Sequence, residues 1–190
     1  MRARWIASVI LGAGVASGLV GCATPPDIDY DPNFNFASAT KFRVADQPVA
    51  RVDDPRLDSP LLNQRIHAAI VGVLRERGYS IVEQGADLDV VFSIGSRLKV
   101  DSSGPQMSVG FGRYGTSGGV GVGYSTPARV ESYQEGVLTI DMVKPEANAL
   151  IWRGSTSRRL PEGGSTPEKT TQNVNEVVAE ILKSYPPGKK

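Results

Sequence analysis

The sequence holds one cysteine and one histidine in 190 residues. A lone cysteine rules out an internal disulfide, so the fold is held by its core. With one histidine, no conventional Cys/His zinc site can be assembled. An excess of charge of one sign is also missing: 21 basic residues face 20 acidic ones. Arg2 and Arg4 supply two of the basic residues and lie in a segment expected to be removed, which leaves one more acid than base. Such a balance excludes the basic footprint of a nucleic-acid binder and gives no general attraction to anionic lipid surfaces. There is no apolar run of the roughly 20 residues needed to cross a bilayer core, and no internal repeat. At 40% hydrophobic and 22% charged, the composition suits one folded domain.

What is present begins at the N-terminus. Arg2 and Arg4 precede an uncharged stretch, Trp5 to Leu19, rich in Ala, Val, Ile and Gly. That order is the charged and apolar part of a secretory signal. Leu19-Val20-Gly21-Cys22 follows and resembles the bacterial lipobox, in which an aliphatic residue and small ones precede a cysteine. The resemblance implies cleavage before Cys22, a diacylglyceryl group on its thiol and a further acyl chain on its amine. Anchoring by several chains is stable where one chain is marginal. Residue 23 is Ala rather than the Asp that retains such proteins on the inner membrane of enterobacteria, which favours the periplasmic face of the outer membrane. Residues 1–21 are thus expected to be a lipoprotein signal peptide and 22–27 a lipidated tether stiffened by Pro25-Pro26.

Residues 28–187 read as one α+β domain. Thr40 to Ala45 alternates as a strand, with Phe42 and Val44 on one face. Ser59-Pro60 starts a helix and Gly78 stops it, with Leu62, Ile66, Ala69, Ile70, Val73 and Leu74 forming one apolar stripe. Arg65 lies off that stripe. Tyr79 to Val82 is β-like, Leu88 to Ile94 is a central strand, and Arg97 to Val100 extends it. From 109 to 124 glycine alternates with apolar residues, a pattern predicting a ribbon with Phe111, Tyr114, Val122 and Tyr124 as partner-contact candidates. Val130 to Val143 and Leu150 to Arg153 are expected to pair antiparallel. A closing helix runs from Pro167 to about Ser184, capped by Ser165 or Thr166, with Val174, Val177, Val178, Ile181 and Leu182 facing the core. The expected architecture is a mostly antiparallel sheet with two helices packed on one face.

Three stretches together resemble the bacterial envelope lipoprotein family catalogued as domain of unknown function 4136. The first is Asp29-Tyr30-Asp31-Pro32 with Phe34, Phe36, Lys41 and Phe42. The second is Gly78-Tyr79 followed by Ala86-Asp87-Leu88-Asp89-Val90-Val91. The third is Gly136 to Asp141 with Leu150 to Gly154. A final helix leading into Tyr185-Pro186-Pro187 fits as well. Lys144-Pro145-Glu146 and the absence of Trp from the first strand depart from the family's usual pattern. The resemblance implies a fold and a lipoprotein address, and no reaction.

Residue by residue, the chemistry is sparse. His67 has no local carboxylate to orient it for a Ser-His-Asp site and reads as a solvated residue at the helix rim. Asp27, Asp29 and Asp31 alternate on an extended segment without the glycine and glutamate of a calcium loop, so they read as surface polarity. Asp87, Asp89 and Asp141 invite an acid/base reading, but carboxylates at such positions more often line the solvated side of a strand. Trp152 reads as core. No catalytic residue, metal site or cofactor is assigned. The leading expectation is a non-enzymatic accessory or binding lipoprotein, held to the membrane through Cys22, with an envelope protein as partner at a sheet edge or the glycine ribbon. The alternative is a lipid- or small-hydrophobe-binding module using a groove between sheet and helices, and an envelope hydrolase comes third. A hydrophobic cleft of ligand size would favour the second reading.

Overall fold

The computed structural model describes residues 25–48, 54–103 and 129–188. The lipobox, with Leu19, Val20, Gly21 and Cys22, and the glycine ribbon with Phe111, Tyr114, Val122 and Tyr124 lie outside the described residues. In chain order the elements are β1 (Asp27–Tyr30), β2 (Lys41–Val44), α1 (Pro60–Glu76), β3 (Ser80–Ile81), β4 (Leu88–Ser103), β5 (Arg129–Lys144), β6 (Ala149–Arg159) and α2 (Pro167–Leu182). A single turn of 3-10 helix at Phe36–Ser38 links β1 to β2. None of the described helices is long and apolar enough to cross a membrane.

The fold is α+β as expected, but the six-stranded sheet is mixed rather than mostly antiparallel. Its order is β1-β6-β5-β4-β2-β3. The β1, β6, β5 and β4 strands alternate in direction, whereas β2 runs parallel to both β3 and β4. The reason is α1. A helix between β2 and β3 carries the chain back to the end from which it left, so the two strands start together.

Local signals explain both helix starts. Pro60 opens α1, where its missing N–H costs nothing. Ser59 holds the N-cap backbone conformation without giving a side-chain hydrogen bond. At α2 the choice between two caps falls on Thr166, whose hydroxyl accepts from the Lys169 N–H at 3.3 Å. Gly78 takes φ +85°, the left-handed backbone that releases the chain from α1 into β3.

Both helices lie on one face of the sheet. Ile66, Ile70 and Leu74 of α1 and Val178, Ile181 and Leu182 of α2 are buried against Phe42, Val90, Phe92, Ile140, Met142 and Trp152. Each such side chain contributes about 1.5–3 kcal/mol by leaving water. Beyond α2 the chain returns to this core: Tyr185 is buried and packs edge-on against Trp152, Phe36 and Phe42, with ring centroids 5.5, 5.8 and 5.9 Å away. Arg77, at the end of α1, donates to the carbonyls of Leu182 and Tyr185 and so fixes the end of α2.

The β4 and β5 strands pair without a break from Asp89 opposite Val143 to Ser103 opposite Arg129. The helices cover only the first part of this hairpin, so residues from Ser96 to Val100 are exposed. On the opposite face of the sheet Glu135 is nevertheless buried. It accepts from Arg97 at 2.9 Å, Ser157 at 3.1 Å and Lys99 at 3.3 Å.

Candidate functional site

Near the hairpin end of the sheet the two helices do not close over the strands, and a groove of about 660 Å³ remains. Its walls are Leu62 and Ile66 of α1 and Val174 and Val177 of α2. Its floor is Ile94, Leu138 and Thr156, and the connection from β6 to α2 closes one end with Leu160 and Pro161. Gly136 belongs to the floor because a side chain there would meet Leu160, whose Cδ2 would lie 2.9 Å from the added Cβ. The volume and mainly apolar lining are those of a small-molecule site. A shallower depression of about 570 Å³ along Pro167 to Glu176 is the open flank of α2 and encloses nothing.

Four arginines line this groove: Arg56, Arg65, Arg158 and Arg159. Three of them are held by carboxylates. Arg56 forks onto Asp54, with contacts of 3.0 and 2.7 Å. Arg158 pairs with Glu180. Arg159 meets Glu131 at 2.7 Å and stands over the Tyr133 ring, 4.6 Å from its centroid. Arg65 differs. It is half-buried, its Nε donates to the Thr171 hydroxyl at 3.1 Å, and no ion pair to it is formed among the described residues. Among the described lining residues the one acid is Glu176, which accepts from Gln172 at 2.9 Å.

The carboxylates that suggested acid/base chemistry are scattered and occupied. Asp87 accepts the backbone N–H groups of Thr40 and Lys41, both at 2.8 Å, and these bonds hold its carboxyl below the ordinary aspartate range. Asp89 and Asp141 are each gripped by a bidentate arginine, Arg43 with contacts of 2.8 and 2.6 Å and Arg153 with two contacts of 2.7 Å. Neither faces the groove, because the alternation that buries Val90 and Ile140 turns them to the other side of the sheet. His67 lies 3.5 Å from the exposed Asp46, with no serine bonded to it among the described residues. Asp29 and Asp31 accept from the nearby Tyr30 and Asn33 N–H groups, both at 2.9 Å, and so shape a turn. Among the described residues no group of three or more His, Cys, Asp or Glu is placed to share a cation.

Sequence reading placed Trp152 in the core, where it is fully buried. It named a groove between sheet and helices as an alternative but gave it no residues, since Leu62 and Val174 were read only as core-facing stripe residues. Arg65 off the stripe was the available signal. Of the sheet edges that could take a partner strand, β1 offers four residues and β3 two, while β4 beyond its pairing with β2 at Leu88–Val90 has, among the described residues, a strand neighbour only in β5.

The family model described as "Domain of unknown function (DUF4136)" matches residues 26–187. No curated protein matches the sequence. Among solved structures, the chain is similar to a PDZ domain protein from Parabacteroides distasonis, with 13% identity and a TM-score of 0.50. That likeness covers 87% of this chain but only 36% of that protein's length. PelC from Paraburkholderia phytofirmans, a dodecamer, is similar at 14% identity and a TM-score of 0.43, covering 83% of this chain and 92% of that one. A putative neuraminyllactose-binding hemagglutinin homolog from Helicobacter pylori is similar at 11% identity and 0.41, covering 76% and 80%.

Proposed function

We propose that this chain, which belongs to the DUF4136 family, is a lipid-anchored envelope lipoprotein that binds a small hydrophobic or amphiphilic molecule in the groove between its helices and sheet. The observation that carries the binding part is the groove itself, about 660 Å³ with apolar walls drawn from both helices. The lipobox at Leu19 to Cys22 supports the address, and Ala23 supports the periplasmic face of the outer membrane. A non-enzymatic role is supported by the carboxylates, since Asp87, Asp89 and Asp141 are each committed to backbone or arginine partners.

Topology relates the two parts. Asp27, the first residue of β1, pairs with Ser155, next to the groove residue Thr156. The five-residue step from Cys22 to Asp27 spans at most about 18 Å. An anchor at Cys22 therefore holds the groove end of the domain toward the bilayer, where hydrophobic ligands are concentrated.

Two measurements test the reading. Cys22→Ser in cells is expected to abolish palmitate labelling and release the protein from the membrane fraction; retention with no label in either form refutes the anchor. The neutral probe N-phenyl-1-naphthylamine is expected to brighten saturably on the purified chain. Thr170→Trp, which fills the groove from a half-buried position, should weaken that binding at least tenfold. Equal binding by the filled variant refutes the groove.

A further inference from the structure

The geometry points to a single-chain amphiphile with an anionic head as the groove's ligand, and to Arg65 as the residue that meets the head. The inference rests on the groove being the binding site and adds the ligand's charge and its recognition.

Arginine is the strongest cation for oxygen anions because its five N–H donors form a planar fork. In Arg56, Arg158 and Arg159 that fork is already engaged by Asp54, Glu180 and Glu131. Arg65 uses only Nε, on Thr171 Oγ1 at 3.1 Å, so among the described residues the two Nη groups have no acceptor. A half-buried guanidinium beside apolar walls is costly unless it is paired. Among the described lining residues the one acid is Glu176, and it accepts from Gln172 rather than from Arg65. A carboxylate or phosphate head, with two oxygens to offer, completes the fork in the bidentate geometry that guanidinium favours. Its tail then runs along Leu62, Ile66, Val174 and Val177, which Arg65 adjoins on α1 and faces across from α2. A neutral hydrophobe leaves the cation unmatched, and a cationic amphiphile is repelled by it.

Isothermal titration of the full chain carrying Cys22→Ser, so that no acyl group of its own competes, separates the outcomes. The ligands are dodecanoate, dodecyl phosphate, dodecanol and dodecyltrimethylammonium, the ionic ones below their micelle-forming concentrations and dodecanol below its solubility limit. Either anion is expected to bind at least tenfold more tightly than dodecanol, and the relative strength of the two tells a free fatty acid from a phosphate-ester lipid. Each methylene removed from the tail should weaken binding about fourfold. Arg65→Gln should erase the advantage of the anions over dodecanol, with Arg65→Lys keeping part of it. An unfolding midpoint matching that of the parent chain shows that the Gln variant is folded. Equal binding of all four ligands, or an anion preference that survives Arg65→Gln, overturns this inference while the groove stands. No binding of any ligand overturns the groove and the inference together.

Discussion

A side chain at Gly154 would occupy space already filled by Ile181: a Cβ built there would lie 2.6 Å from Ile181 Cγ2 and 2.5 Å from Trp152 Cη2. The contact joins the middle of β6 to the last turn of α2, so the absence of a side chain sets how closely α2 seats on the sheet. Both obstructing groups are fully buried and cannot swing away. Gly154→Ala is therefore expected to destabilise the fold by about 1–3 kcal/mol or more through overpacking, read as a lower urea midpoint. Gly136→Ala should cost less, because there the clash is with the free end of Leu160.

Tyr185 carries a buried hydroxyl with no hydrogen-bond partner among the described residues. Burial drives its ionisation well above the ordinary tyrosine range, so the phenol stays protonated. Tyr185→Phe should be neutral or stabilising by up to about 1 kcal/mol, since no bond is lost. Tyr185→Ala, which empties the centre of the aromatic cluster, should cost about 3–5 kcal/mol. Thermal unfolding of the two variants distinguishes the ring's role from the hydroxyl's.

Glu135 predicts a pH dependence. Burial alone would raise its carboxyl, but hydrogen bonds from Arg97, Lys99 and Ser157 outweigh burial and hold it below the ordinary glutamate value. The unfolded chain thus takes up this proton at a higher pH than the folded one. Its stabilisation is present above about pH 4.3 and is lost as pH falls through the lower folded value. Unfolding midpoints measured from pH 7 down to pH 3 should fall at the acid end, and Glu135→Gln should remove part of that slope. An identical slope in the Gln variant would assign the effect to other carboxylates, Asp87 first.

Asp87 fastens β2 to the start of β4 by accepting the N–H groups of Thr40 and Lys41. Asp87→Ala should cost about 1 kcal/mol or more, whereas Asp87→Asn, which keeps one acceptor oxygen, should cost less. The same pair, followed by hydrogen exchange at Lys41, should show faster exchange in the alanine variant.

The elements with strong punctuation were legible. Ser59-Pro60 and Gly78 bound α1, Thr166-Pro167 starts α2, and the observed spans agree with these marks. Strand lengths were less so. The extension of β4 from Ile94 to Val100 was read, although Gly95 and Ser96 interrupt the apolar pattern; the strand runs on to Ser103 because every residue there has a partner in β5. Similarly β6 continues past Arg153 through Gly154 to Arg159, where small and hydroxylated residues give no hydrophobic signal. The parallel pairing of β2 was hidden because it depends on where α1 delivers the chain, and β3 is only two residues long. The residues of the groove were hidden for a related reason. Its residues come from five separate stretches, which only the packing of the two helices on the sheet brings around one space. Tyr185 looked like part of a helix terminator and proved to be the centre of an aromatic cluster.

The uncovered half of the β4–β5 hairpin has a consequence for how relatives of this domain can differ. Its pairs beyond Ile94 are held by the backbone ladder and by side chains such as Glu135 and Arg97, with neither α1 nor α2 resting on them. The arm can therefore lengthen or shorten without disturbing the seat of either helix. Adding or deleting two residues from each strand keeps the inner and outer rows in phase, while a single-residue change in one strand exchanges them. Divergence in arm length should consequently come in even steps, with odd steps accompanied by a bulge.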